Sequence, residues 1–310
     1  MQRTRFALAA FVLVVVVALA GCGGGNADKP STGARLPPSD GPPIRIGAKN
    51  FTEQAILGEL YRQALEAKGY KVVLKPTVGS TEIIHRALQR GALDMYPEYV
   101  GILLSEVADL RARPRSAAAA YELARAFERK RHFTMLAQTP LSDSNALGVK
   151  PQFAKRHRLR TIADLRRLPG TVKVSALSEF ATRYEGLVGL REVYGLRHLR
   201  VTVVPSEGRY PALDHGDVDV ASVFKADGQL AGNRYVVLDD PRGLFASGHV
   251  APIISEKVLA AHGPGLRTAI DAVSRVLTTP AMRKMNAAVD LGKRDPAAVA
   301  REFLRSHRLN

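Results

Sequence analysis

The chain has no tryptophan and one cysteine, Cys22, so it cannot form an internal disulfide. Its eight histidines (85, 132, 157, 198, 215, 249, 262 and 307) are scattered, with no pair at metal-ligand spacing. It lacks a Gly-x-Ser-x-Gly elbow, a glycine-rich phosphate loop with its lysine, and a second thiol to serve as nucleophile. The close acidic pairs have plainer readings: Asp217 and Asp219 alternate with Val218 and Val220 at a strand entry, and Asp239-Asp240 precedes Pro241 in a turn. These absences argue against an enzyme and against any cofactor or metal site. Acid is also scarce relative to base, 29 Asp and Glu against 45 Lys and Arg, for a formal net charge of +16. The basic residues are spread out, as in Arg111-Ala112-Arg113-Pro114-Arg115 and Lys155-Arg156-His157-Arg158, and no aromatics interleave with them as a base-stacking groove requires. Nucleic acid is therefore not expected as a partner; the charge reads as solvated faces near an anionic membrane surface.

The only long apolar run is at the start. Arg3 and Arg5 precede apolar residues 7–20, and Leu19-Ala20-Gly21-Cys22 follows. A run this short with a cleavage site behind it reads as a signal peptide, residues 1–21, rather than a retained span. Leu-Ala-Gly-Cys resembles the lipobox of bacterial lipoproteins, which implies lipidation of Cys22 and placement at the cell membrane on its extracytoplasmic side. Residues 23–43 are rich in Gly, Pro, Ser and charge and poor in large apolar side chains, so they read as a disordered tether.

From Ile44 short apolar runs alternate with amphipathic segments. Residues 44–47 read as a strand, 53–68 as a helix stopped at Gly69, 71–74 as a strand, 81–90 as a helix stopped at Gly91, and 93–96 as the start of a third strand. A similar set recurs: strand 172–175, helix 181–194 stopped at Gly195, strand 201–204, a helical turn at 210–215 and strand 218–223. Residues 145–149 form a candidate crossing strand, 235–238 and 250–254 are further strands, and 256–310 is helical. The fold class is α/β, with two mostly parallel lobes, two hinge crossings and a cleft between: lobe I is residues 44–148 and 241–310, and lobe II is 149–240. Ligands of open α/β sheets bind beyond the carboxyl ends of the strands, so the loops there are candidate sites.

Two such loops open helices. In Gly47-Ala48-Lys49-Asn50-Phe51-Thr52-Glu53-Gln54, Thr52 stands as an N-cap and Lys49 adds positive charge. In Val78-Gly79-Ser80-Thr81-Glu82, Gly79 allows close backbone approach and two hydroxyls can donate to a carboxylate. Both patterns equally suit ordinary helix caps. A third segment, Asp94-Met95-Tyr96-Pro97-Glu98-Tyr99-Val100-Gly101, is more specific.

Together with Tyr194-Gly195-Leu196, Ala226-Asp227-Gly228 and Leu238-Asp239-Asp240-Pro241 before Phe245, these motifs resemble the substrate-binding proteins of glycine betaine, choline and carnitine ABC importers. The resemblance runs from about Ile44 to the C-terminus. It implies a type II periplasmic-binding fold, a monomer that binds a small quaternary ammonium solute, and permease subunits as partners. Tyrosine faces would hold a cation that cannot donate hydrogen bonds. By position Tyr99 and Tyr210 would be cage tyrosines; Lys49, Ser80 and Thr81 would face the polar end, Asp227 would sit near the hinge or cleft, and Thr52, Tyr96 and Asn145 complete the candidate ligand-binding set. The chain departs from the pattern at Ala146 after Asn145, at Glu185-Gly186-Leu187 and at Phe245-Ala246-Ser247-Gly248, where further aromatics would stand. Half the cage is then absent, unless Tyr96 or Tyr184 replaces it. Two lost contacts at about 0.5–2 kcal/mol each weaken binding roughly tenfold to a thousandfold. The alternatives are a receptor of the same fold for another polar or aromatic solute, and a lipoprotein that regulates a membrane partner.

Overall fold

A computed structural model describes residues 41–110, 114, 116–245 and 248–310. The residues expected to be a signal peptide, Cys22 and most of the expected tether lie outside the described residues, as do Ala246 and Ser247. No helix among the described residues is long and apolar enough to cross a membrane.

The first lobe begins with strand β1 (Ile44–Gly47) and helix α1 (Thr52–Ala67). Ile56, Leu57, Leu60, Ala64 and Leu65 fall on one face of α1 at helical spacing, and all are buried. Gly69 takes φ 88° just beyond the helix, a left-handed conformation that favours glycine. Phe51, not Thr52, occupies the N-cap position; Thr52 is the first helical residue and donates its hydroxyl to Asp290 instead. Strand β2 (Val72–Lys75), helix α2 (Thr81–Gln89) and strand β3 (Met95–Tyr99) follow, then a short helix α3 (Val100–Ile102), helix α4 (Ala117–Arg129) and strand β4 (Phe133–Met135).

The second lobe contains β5 (Asn145–Val149), α5 (Pro151–His157), β6 (Val172–Ala176), α6 (Gly189–Tyr194), β7 (Leu199–Val203), α7 (Arg209–His215), β8 (Val220–Phe224) and β9 (Val236–Val237). The chain then returns through β10 (Val250–Ser255) to four helices, α8 (Glu256–His262), α9 (Pro264–Val276), α10 (Thr279–Asp290) and α11 (Pro296–Ser306). Five strands form each sheet, in the orders β2-β1-β3-β10-β4 and β7-β6-β8-β5-β9. Each sheet is mixed rather than mostly parallel. β1 pairs in parallel with β2 and β3, and β6 with β7 and β8. The returning strands β10 and β5 pair antiparallel with both neighbours. Apolar clusters cover both faces of each sheet, built around α1 and α9–α11 or α2 and α4 in the first lobe.

Three expectations need correction. Strand 145–149 does not cross between lobes: it pairs with β8 and β9 inside the second sheet, so the outward crossing precedes Asn145. Leu244 and Phe245 pack on the second lobe's core, so the return crossing follows Phe245 and not Asp240. The helix expected over 181–194 is broken. Its first part is a 3-10 turn (Ser178–Ala181) and a wide turn (Tyr184–Val188) that leaves helical geometry at Glu185 and Gly186, and only α6 is regular.

The crossings run side by side. Asp143 N–H donates to the Gly248 carbonyl at 2.8 Å, and Ser142 bridges antiparallel to His249. They approach so closely that a Cβ on Gly248 would lie 2.1 Å from the Asp143 carbonyl carbon. This two-stranded ribbon is where relative motion of the lobes would be absorbed.

Candidate functional site

Where the carboxyl ends of β1, β3, β6 and β8 face one another, both lobes and the ribbon enclose a cleft of about 730 Å3, part of it open to solvent. Of the residues singled out from sequence, Lys49, Ser80, Thr81, Tyr99 and Asn145 line it. Thr52 lines an adjoining recess with Lys49 and Asp290.

The first lobe brings Lys49 into the wall through the loop after β1. Its ammonium is buried, forms an ion pair with Glu98, donates to the Thr81 hydroxyl at 2.7 Å, and lies 4.8 Å from the Tyr99 ring centre. Burial lowers the Lys49 pKa, and the Glu98 carboxylate opposes that shift. Glu98 also accepts from the Tyr99 backbone N–H, so one buried carboxylate positions both the lysine and the tyrosine. The Tyr99 hydroxyl donates to Glu53 at 2.7 Å.

From the second lobe come Phe180, Arg183, Glu185, Arg209 and Phe224. Phe51 of the first lobe stacks on Phe224 of the second at 5.3 Å and on Tyr99 at 6.1 Å, so three rings run continuously across the cleft. Arg183 makes two bonds to Glu82 at the start of α2, at 3.0 and 2.8 Å, tying one lobe to the other. Burial alone would raise the Glu82 carboxyl, but the Arg183 bonds outweigh it and hold the pKa at about 2.

Beneath the cleft sits a cluster of buried acids. Asp143 on the ribbon accepts the Ala226 N–H at 2.6 Å, and Glu53 accepts from Tyr99 and from the Asn286 amide at 3.3 Å. Burial pushes Glu53 up to about 7, with the charge of Asp227 adding to it. Burial, then the charges of Glu53 and Asp227, pushes Asp143 well above the usual carboxylate range.

Two expected cage tyrosines lie behind the wall. Tyr96 is fully buried, with its hydroxyl 3.0 Å from His85 Nδ1. Tyr210 is 3% exposed, donates to Asp227 at 2.8 Å, and lies 4.8 Å from Tyr235, ring centre to ring centre. Asp227 also accepts the Phe224 N–H and pairs with Arg209 at 3.4 Å, so it braces the wall from behind. The rings that do line the cleft with Tyr99 are Phe51, Phe180 and Phe224, none of them foreseen, and Arg183, Arg209 and Glu185 were missed as well. Phe51 lay inside a motif already singled out, and Glu185 stands at a departure from the family pattern noted in the sequence; the others belong to no motif that sequence alone distinguishes.

Comparison with known proteins agrees with this architecture. Residues 42–306 match the family model described as the substrate binding domain of ABC-type glycine betaine transport systems. A glycine-betaine-binding protein of Pseudomonas aeruginosa is 31% identical over 277 residues, 86% of this chain and 88% of that one. The glycine betaine-binding protein YehZ of Escherichia coli is 27% identical, covering 87% of this chain and 92% of its own. Among solved structures, one of a glycine betaine/carnitine/choline ABC transporter superposes with a TM-score of 0.69 at 25% identity, covering 86% of this chain and 99% of the other. Apo YehZ gives 0.64 at 26% identity, covering 87% and 100%. The two mixed five-stranded sheets are those of the periplasmic-binding-protein fold. The chain belongs to the family of substrate-binding domains of ABC-type glycine betaine transport systems, and it is a transport binding protein rather than an enzyme.

Proposed function

We propose that this protein binds glycine betaine or a related quaternary ammonium osmoprotectant in the cleft and delivers it to the permease of an ABC importer. The observation that carries this reading is the row Tyr99–Phe51–Phe224, which sets aromatic surface from both lobes around one small cavity. A methylated cation gains from aromatic faces and loses nothing by lacking N–H donors. Lys49, Thr52, Ser80, Thr81, Asn145 and Asp227 retain polar roles in this account: Lys49, Ser80, Thr81 and Asn145 on the wall, Thr52 in the adjoining recess, Asp227 through Arg209. Tyr96 and Tyr210 support the wall from the core.

The mechanism follows from contacts made by both lobes at once. A ligand that touches Tyr99 and Phe224 together favours the closed arrangement, in which Arg183 also reaches Glu82. The closed form is what a permease reads, and ATP hydrolysis belongs to a separate subunit. Lipidation at Cys22 would keep the receptor beside that permease on the extracytoplasmic face. Metabolic labelling with a fatty-acid analogue tests the anchor: incorporation that disappears in Cys22→Ala supports it, and equal labelling contradicts it. For the cleft, Tyr99→Ala should weaken binding of glycine betaine or choline about tenfold or more while the chain still melts cooperatively. Unchanged affinity would remove Tyr99 from the site.

A further inference from the structure

The charged groups around the cleft are not balanced in the way a zwitterion requires. Lys49 is committed to Glu98 and Thr81. Arg183 is committed to Glu82 through two bonds. Arg209 donates to the Ser206 and Ser222 carbonyls, at 3.1 and 2.8 Å, and pairs with Asp227. Each wall cation is thus paired with an acid. The face of Tyr99 also carries Lys49, and Arg209 lies 4.8 Å from the centre of Phe224. Two aromatic surfaces are therefore already shared with a protein cation.

The acids on the wall are Asp143, Glu179 and Glu185, and Glu185 is the most buried of the three. It is 3% exposed, and its carboxylate accepts from the amide of Asn145, another wall residue, at 3.3 Å. Its position is fixed by the backbone. The wide turn breaks at Gly186 with φ −154° and ψ −138°, and a Cβ there would meet the Phe180 carbonyl oxygen at 2.2 Å. Phe180, whose ring also lines the wall, brings its backbone close against Gly186. Glu185 thus places a carboxylate in the wall of the cleft, where an ionised group acts strongly on a bound charge.

We infer that Glu185 determines specificity within the quaternary ammonium class, and that the cleft favours a cation with an uncharged tail, such as choline, over a zwitterion such as glycine betaine. Glu185 attracts the ammonium of either ligand. It repels the carboxylate of the zwitterion, whose natural partners on the wall are committed elsewhere. This inference rests on the reading of the cleft as a quaternary ammonium site.

The test is calorimetric titration of the purified full-length chain, wild type and Glu185→Gln, with choline and with glycine betaine. The wild type should bind choline at least about tenfold tighter, and Glu185→Gln should shrink that ratio about tenfold. A purely structural role for Glu185 would weaken both ligands together and leave the ratio in place, which would overturn the inference. If the variant fails to fold, the wild type alone decides. Its choline affinity should fall with added salt more steeply than its glycine betaine affinity, since only the former carries a net charge. Glycine betaine binding as tightly as choline, or tighter, refutes the role of Glu185 but leaves the proposed function standing. Binding of neither ligand refutes the inference, and refutes the proposed function as well if carnitine and proline betaine also fail to bind.

Discussion

Replacing Glu53 with glutamine removes one ionisable group from the acid cluster beneath the cleft and keeps one oxygen, which can go on accepting from Tyr99 while the bond from Asn286 is lost. Glu53 is faced by the Tyr99 hydroxyl on β3, Asp143 on the ribbon, Asn286 and Asp290 on α10, and Asp227 with its partner Arg209 in the second lobe. Its pKa stands at about 7 in the folded chain against an ordinary 4.5, chiefly because burial disfavours the charged form. Between those values the folded chain holds a proton that the unfolded chain has released. The contribution of Glu53 is therefore fully present below about pH 4.5 and is lost as pH rises through about 7. The difference corresponds to roughly 3 kcal/mol. Glu128, also raised to about 7 by burial, imposes a similar fall on both proteins and cancels in the comparison. Denaturant unfolding of wild type and Glu53→Gln at pH 5 and pH 8 measures the effect. The wild type should lose more than the variant between those two conditions, on the order of 2 kcal/mol, since pH 5 already lies inside the window and Asp143 shares the proton balance with Glu53. Parallel losses in the two proteins would refute the assignment of a buried, neutral Glu53 at the hinge.

Other substitutions probe the same frame. Gly248→Ala places a methyl group 2.1 Å from the Asp143 carbonyl carbon and should cost about 1–3 kcal/mol by pushing the ribbon apart; an unchanged melting temperature would mean the crossings are not held so closely. Arg183→Ala deletes the bridge to Glu82, so bound ligand should dissociate several-fold faster in a stopped-flow displacement assay, with an unaltered rate arguing against an interlobe latch. Glu128→Gln removes a buried carboxylate whose oxygens have no hydrogen-bond partner among the described residues, and should raise stability at pH 8 by about 1–3 kcal/mol, a gain that vanishes at pH 5.

Much of the fold could be read from local pattern. The apolar face of α1 and the glycines at 69, 91 and 195 are local signals, and all three glycines take positive φ just past a helix. The lobe boundaries could not be read in this way. Strand 145–149 has the same apolar character whether it crosses between lobes or pairs with β8, and only the sheet decides. The broken helix near Glu185 reflects tertiary override, because the close packing of Gly186 on Phe180 outweighs helical spacing. The site divides along the same line. Lys49, Ser80, Thr81 and Tyr99 sit in strand-to-helix loops and at a strand end, where sequence order predicts exposure to a ligand. Tyr210 looked equivalent by position, yet its hydroxyl turns inward to Asp227, while Phe224 at the end of β8 supplies the ring. Side-chain direction across a cleft depends on which lobe faces which, and no local pattern carries that.

The central claim is that this cleft binds a quaternary ammonium solute. Thermal unfolding of the purified chain against glycine betaine, choline, carnitine, proline betaine and unrelated amino acids tests it most directly. A ligand at about a hundred times its dissociation constant adds roughly 2.7 kcal/mol of stability. The account predicts stabilisation by one or more of the quaternary amines and none by the amino acids. A cooperative melt that no quaternary amine shifts, or that an ordinary amino acid shifts instead, would contradict it.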